Sequence, residues 1–336
     1  MSRSTIRDVA RTAGVSVGTV SHVLSGSRTV RPATRARVEA AIAALHYRPN
    51  TIARALNRRR TQTIGMVVPD VTNPFFADLI WEVERAMADV EHAVLFGSSA
   101  NDPERERRYL ESFLSRRVDA AIVAVTAGSD LDFLAVVAAE VPTVVVDRPV
   151  PIAADAVVGD NRAGMALAVE HLVRLGHGRI GYLDGDPALG TARERRAGIE
   201  AALAAHGLEL AASSSGAFTL ASGYEHALTL LRSPARPTAF CAGNDLLAMG
   251  VLKAAGELGV AVPADLSLVG YDDIAYAAFT SPPLTTVRQP GRALGEATAR
   301  LLEARLAGET GPPRTVTLEP ELVERGSSAP PEERGP

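Results

Sequence analysis

Cysteine is almost missing from this 336-residue chain. Cys241 stands alone, which excludes a disulfide framework and any thiolate metal cluster within one chain. Aromatic residues are scarce at 4%, and of the 35 Lys and Arg residues only Lys253 is a lysine. No stretch approaches the roughly 18 continuous apolar residues of a membrane span. The N-terminus, MSRSTIRDVARTAG, carries charge but no apolar signal core, so export is not expected and a cytoplasmic location is. Catalytic signatures are missing too. There is no Walker GxxxxGK[ST], no GxGxxG opening a helix after a strand and no HExxH, and the seven histidines show no ligand spacing. The glycine run Asp184-Gly185-Asp186-Pro187-Ala188-Leu189-Gly190 puts proline and acid where a phosphate needs open N–H groups. No nucleophile elbow supports a Ser/His/Asp set. Neither enzyme activity, nor a cofactor, nor a metal is expected.

What is present is aliphatic. Apolar residues make up 46% of the chain, dominated by Ala, Val and Leu, which rules out wholesale disorder and favours an α/β protein with buried strands. The length suits two or three domains. The net charge of −4 conceals an asymmetry: residues 1–60 carry 12 arginines against Asp8 and Glu39, so the remainder carries 23 basic and 37 acidic groups. A basic head of +10 on a body of −14 is what separate binding tasks look like. Polyanions meet the head and are repelled by the body. A merely solvated arginine surface is the alternative.

The head carries more than charge. Thr5-Ile6-Arg7-Asp8 reads as a capping box, and Ile6, Val9, Ala10 and Ala13 recur at helical spacing. Gly14 ends that helix, Val15 reads as a buried pin and Ser16 caps a second helix, Val17 to Leu24. Thr19, Val20, Val23 and Leu24 face the first helix, leaving Val17, Gly18, Ser21 and His22 on the opposite face. Two short helices joined by a glycine-containing turn form a helix-turn-helix, whose second helix enters the major groove of DNA. Pro32 opens a third helix whose face Val38, Ala41, Ile42 and Leu45 closes the core. A three-helix domain without DNA contact is the competing reading. Beyond Pro49, Asn50 to Asn57 reads as a short helix that orders on DNA, with Leu56 as a minor-groove wedge; a plain linker is the alternative there.

From Thr61 onward, aliphatic runs alternate with amphipathic stretches. Buried strands are expected at 64–68, 93–96, 120–125, 143–146, 180–183, 239–242 and 267–269. Helices are expected at 74–90, 103–117, 131–139, 162–175, 193–206, 223–231 and 245–258. This alternation predicts parallel sheets covered by helices on both faces, in two doubly wound lobes with a cleft between them. Ligands of such sheets bind beyond the carboxyl ends of the strands. Asp147, Asp160, Asn244 and Asp272 follow apolar runs there, Arg195 offers a fork of donors, and Phe75, Phe76 and Phe218 offer apolar faces.

These segments carry a resemblance. TIRDVARTAGVSVGTVSHVLSG, HYRPNTIARAL and TQTIGMVVPD are similar to the lactose/galactose-repressor family. So are PFFADLI, RRVDAAIV, RxxGIEAAL, NDLLAMG, DLSLVGYDD, LTTVRQP and LVERGSSAPP. The head, through VSHVL, most resembles the purine-repressor branch. The resemblance implies a helix-turn-helix domain at 1–49 and a hinge at 50–60. A periplasmic-binding-protein-like effector and dimerisation domain follows at 61–330, with a tail at 331–336. The chain then crosses between lobes near 160, 290 and 320, giving one lobe of 61–160 and 291–318 and another of 161–290 and 319–330. DNA-contacting candidates are Thr5, Ser16, Val17, Gly18, Thr19, Ser21 and His22, with Asn50, Ala53 and Leu56 in the hinge. The positions of Val17, Gly18 and His22 read bases in the family. His22 replaces the more usual arginine and Gly18 offers no side chain, so an arginine–guanine contact is unavailable at 22. Thr191 and Gln289 join the effector-binding candidates.

The function implied is a dimeric repressor on a near-palindromic operator, controlled by a small effector, most often a sugar in the family. Leu189 stands where purine-binding relatives carry an arginine, which argues against a purine. Dimer contacts are expected from the 74–90 helix and the segment near 280–285. A sugar-binding module or a nucleoside- or sugar-acting enzyme with a DNA-binding head is the alternative.

Overall fold

The structure, a computed structural model, describes residues 4–25, 29–47, 61–88, 90 and 92–331. It divides into two units, Met1–Thr61 and Gln62–Pro336.

The first unit holds three helices among its described residues, α1 (Ile6–Ala13), α2 (Val17–Ser25) and α3 (Pro32–Ala44). The capping box forms: the Asp8 N–H reaches Thr5 Oγ1 at 3.3 Å and the Thr5 N–H reaches Asp8 Oδ2 at 3.0 Å. Such a cap contributes about 1 kcal/mol. Gly14 ends α1 in the left-handed region at φ 63°, where a side chain is strained. Val9, Val20 and Val38 are fully buried, one from each helix, and tie the three together with Ala10, Ala13, Val23 and Ala41. Val15, expected as a buried pin, is only half-buried, because it sits in the turn at the edge of this small core.

The second unit holds two six-stranded sheets. The first sheet takes β1 (Thr63–Val68), β2 (Ala93–Ser98), β3 (Ala120–Val123), β4 (Thr143–Val146), β5 (Asp155–Gly159) and β11 (Thr315–Leu318), in the order β11-β5-β4-β3-β1-β2, all parallel. The second takes β6 (Ile180–Asp184), β7 (Ala212–Ser215), β8 (Ala239–Ala242), β9 (Ser267–Asp272), β10 (Thr285–Arg288) and β12 (Glu321–Val323), in the order β12-β10-β9-β8-β6-β7. Only β12 runs antiparallel to its neighbour. Among the described residues eight α-helices accompany them: α4 (Pro74–Ala88), α5 (Pro103–Arg116), α6 (Leu131–Glu140), α7 (Asn161–Arg174), α8 (Gly190–Ala205), α9 (Leu220–Leu231), α10 (Asp245–Glu257) and α11 (Gly291–Leu306). Side-chain oxygens of Asp102, Asp130, Asp160, Thr219 and Asn244 cap five of them.

In each sheet the chain steps to one side and then jumps back across its first strand, from β2 to β3 and from β7 to β8. That reversal leaves a crevice beyond the carboxyl ends of β1 and β3, and of β6 and β8. One expectation fails here. The run 93–96 was read as a buried strand, yet β2 is an edge strand, with Leu95 and Phe96 38% and 52% exposed. An edge strand has a neighbour on one side only, which leaves these two side chains open to solvent. Five short strands and α11 had no counterpart in the aliphatic pattern. Among the described residues no helix is long and apolar enough to cross a membrane.

Candidate functional site

Each strand of the second unit that faces the crevice delivers its functional side chain from the residues just past its end. β1 leads to Asn73, Phe75 and Phe76 at the start of α4, and β4 leads to Asp147 and Arg148. The other sheet supplies Thr191 and Arg195 from the first turns of α8, Phe218 beyond β7, Asn244 beyond β8, Asp272 at the end of β9 and Gln289 beyond β10. These eleven residues line one cavity of about 20 Å³ between the two lobes, room for roughly one water.

Arg195 is the centre of this wall. Only 4% exposed, its guanidinium donates to Asn161 Oδ1 at 2.7 Å and to the Gly243 carbonyl at 2.6 Å, and pairs with Asp272 at 3.5 Å. It stacks 3.8 Å from the Tyr271 ring centroid, and the Phe218 ring lies 5.6 Å away. Asp272 also accepts from Gln289 Nε2 at 2.8 Å. Burial pushes its carboxyl up to about 6, although Arg195 and Gln289 pull it back. Facing it, Arg148 donates to the Val125 carbonyl at 2.8 Å, lies 5.4 Å from the Phe76 ring centroid and pairs with Asp147 at 3.4 Å. Burial likewise raises the Asp147 carboxyl, against the attraction of Arg148 and Arg195. Phe75 and Phe76 meet edge-to-face at 5.1 Å. Asp147 and Asp272 hold positive φ, 64° and 107°. Such strained backbone is characteristic of ligand clamps.

The structure therefore brings together Phe75, Phe76, Asp147, Thr191, Arg195, Phe218, Asn244, Asp272 and Gln289. Asp160 does not line the cavity; its carboxylate accepts from the Ala163 N–H at 2.9 Å and caps α7. Sequence reasoning missed Asn73 and Arg148. Arg148 lies two residues past the end of β4, so a window of two residues past each strand end would have found it, whereas Asn73 lies five past the end of β1 and two before Phe75. It also placed the start of the Arg195 helix at 193, whereas α8 begins at Gly190 and includes Thr191.

In the first unit, Thr5 caps α1, and Ser16 caps α2 by accepting from the Thr19 N–H at 3.1 Å. Ser16 Oγ also lies 2.9 Å from Thr19 Oγ1. Val17, Gly18 and Ser21 are exposed on one side of α2, whereas Thr19 and His22 are half-buried. Gly14-Val15-Ser16-Val17-Gly18 spells GxSxG, yet it joins two helices rather than a strand to a helix, and Ser16 serves as a cap. Asn50, Ala53 and Leu56 lie outside the described residues.

Comparison with known proteins agrees with this geometry. Residues 5–50 match the description "Bacterial regulatory proteins, lacI family", and residues 169–328 match "Periplasmic binding protein-like domain". The ribose operon repressor of Escherichia coli (strain K12) is 37% identical over 329 residues, covering 97% of this chain and 100% of that protein. The chain belongs to the lacI family. The HTH-type transcriptional repressor PurR of Mannheimia succiniciproducens is also 37% identical over 329 residues, covering 96% of this chain and 98% of PurR. Among solved structures, the lac repressor dimer bound to operator and the anti-inducer ONPF superimposes with a TM-score of 0.90. It shares 30% identity and covers 98% of this chain and 100% of that one. A lacI-family regulator from Enterococcus faecium with bound ribose has a TM-score of 0.72 and 30% identity, covering 80% and 99%. These relatives are regulators, not enzymes.

Proposed function

We propose that this chain is a dimeric transcriptional repressor whose affinity for a near-palindromic operator is set by a small neutral sugar held between the two lobes. The observation that carries this reading is the convergence of two carboxylates, two guanidiniums, carboxamides and three phenyl rings on one cavity. Carboxylates accept pairs of vicinal hydroxyls, guanidinium forks donate to hydroxyl and ring oxygens, and phenyl faces pack on C–H faces of a ring. A phosphorylated sugar fits poorly, because Asp147 and Asp272 offset the charge of Arg148 and Arg195. Against a purine, the position two before Thr191, an arginine in purine-binding relatives, is the buried Leu189. Two relatives point the same way: one is named for the ribose operon, and another carries ribose. On this reading Val17, Gly18, Ser21 and His22 contact the operator, with Thr5, Ser16 and Thr19 supporting, and Asn50, Ala53 and Leu56 act in the hinge.

The mechanism is a difference in closure. Ligand drawing the lobes together changes the dimer's arrangement on DNA, and a coupling of about 1–3 kcal/mol alters operator occupancy by about 5–150-fold. The test pairs footprinting of the native promoter with calorimetric titration of D-ribose, other pentoses, hexoses, ribose 5-phosphate and purine bases. A protected palindrome whose occupancy changes with a neutral sugar is expected. Arg195→Ala and Asp272→Ala should each weaken that sugar about 10–100-fold while sparing operator affinity without ligand. No protected palindrome, or binding of a purine base and of no sugar, overturns the reading.

A further inference from the structure

Among the described residues, Asp245 is the most completely buried carboxylate that the cavity does not use: it is 0% exposed, one residue beyond Asn244, and does not line the crevice. Its surroundings are built for it. Oδ1 accepts from Thr286 Oγ1 at 2.6 Å and Oδ2 accepts from the Ile274 N–H at 2.9 Å. A Cβ placed on Gly270 would come within 2.1 Å of Oδ1, so a glycine in β9 is what lets the carboxylate lie beneath that strand. Between Gly270 and Ile274 lies the turn that presents Asp272 to the ligand, with φ of 107° at Asp272 and 55° at Asp273. Non-glycine residues hold such backbone only when their surroundings over-determine it. Asp273 supplies part of that restraint through Arg288 at 2.7 Å and Arg325 at 2.6 Å. Asp245 grips the other end of the turn.

We propose that Asp245 is a positioning residue for effector recognition, bracing the strained Asp272–Asp273 turn through the Ile274 N–H so that the Asp272 carboxylate faces the cleft. This rests on the reading of Asp272 as an effector contact. Burial pushes the Asp245 carboxyl well above the usual carboxylate range, and Asp272 adds to the effect. A neutral side chain of the same shape therefore suits the site. Asn keeps an acceptor for the Ile274 N–H and offers a donor to Thr286.

The experiment uses the full-length chain and two independent readouts. Hydrogen exchange of the 268–279 segment reads the brace without ligand, and D-ribose titration reads its consequence. Asp245→Ala should raise exchange across the turn at least tenfold and weaken D-ribose at least tenfold. Asp245→Asn should stay within about threefold of the parent in both. Operator affinity without ligand should be unchanged in each. In an Asp272→Ala background, Asp245→Ala should add less than about twofold to the loss, because the two act in series. Full additivity would mean that Asp245 works through Asn244 or through general stability, and would overturn the proposal. So would faster exchange with unchanged affinity, or failure of Asp245→Asn to rescue. Should Asp245→Ala not fold, Thr286→Val removes one of the two bonds. It is expected to weaken D-ribose severalfold without faster exchange outside the turn. If the parent does not bind D-ribose, the sugar reading fails, whereas unchanged exchange in Asp245→Ala rejects the brace itself.

Discussion

Buried at the exit of β9, the Asp272 carboxyl is raised to about 6 chiefly by loss of water, with Arg195 and Gln289 opposing. The sign of its effect on binding follows. Above pH 6 it is a carboxylate able to accept two hydroxyls, and below it is a neutral acid with one acceptor traded for a donor. Sugar affinity is expected to be flat from pH 8 to 7 and to fall toward about tenfold per pH unit below 6. Calorimetry across pH 5–8 measures it. Asp272→Asn, weaker throughout, should lose the acid limb; persistence of that limb would transfer it to Asp147. At this scale the sequence was readable wherever a polar residue directly followed an aliphatic run. Arg148 is one step further on, separated from the aliphatic run by Asp147. Asp160 shows the ambiguity: an aspartate after a strand and before a helix suits an N-cap as well as a ligand, and here it caps α7. Asn244 does both, since its oxygen caps α10 while it lines the cavity.

Elements were legible in proportion to their apolar length. The long helices and the central aliphatic strands stood out, while β7 (ASSS), β10 (TTVR), β11 (TVTL) and β12 (ELV) are too short or too polar to form an apolar run. β10 is nonetheless buried, because its threonines and Val287 lie between β9 and β12. A feature no pattern reveals is the fit of α9 against α10. A Cβ on Gly250 would meet the Leu220 carbonyl and the Tyr224 nitrogen at 2.4 Å, and one on Gly223 would meet the Leu247 carbonyl at 2.3 Å. These contacts are backbone, which cannot rotate aside. Gly250→Ala should therefore destabilise the second unit by about 1–3 kcal/mol despite alanine's better helix propensity. A lowered thermal midpoint measures it. A midpoint equal to the parent's would mean the two helices can separate at no cost.

At the scale of the whole molecule, four aromatic residues are exposed among the described residues. Trp81 and Phe96 are 63% and 52% exposed on the first lobe, and Tyr276 and Phe279 are 61% and 87% exposed on the second. Trp81 falls within the 74–90 helix and Phe279 borders the 280–285 segment, the two segments expected to pair. Trp81→Glu combined with Phe279→Glu should yield a monomer by sedimentation. That variant makes the charge asymmetry testable. An arginine-bearing head of +10 displaces counterions from phosphates, and the body of −14 contributes none. If each dimer neutralises roughly six to ten phosphates, log affinity should fall against log salt with a slope of about −5 to −9. The monomer, bringing one head, should bind more weakly and show about half that slope. A monomer with the parent's slope would place the phosphate contacts on one head. A dimer insensitive to salt would remove the arginines from the DNA interface altogether.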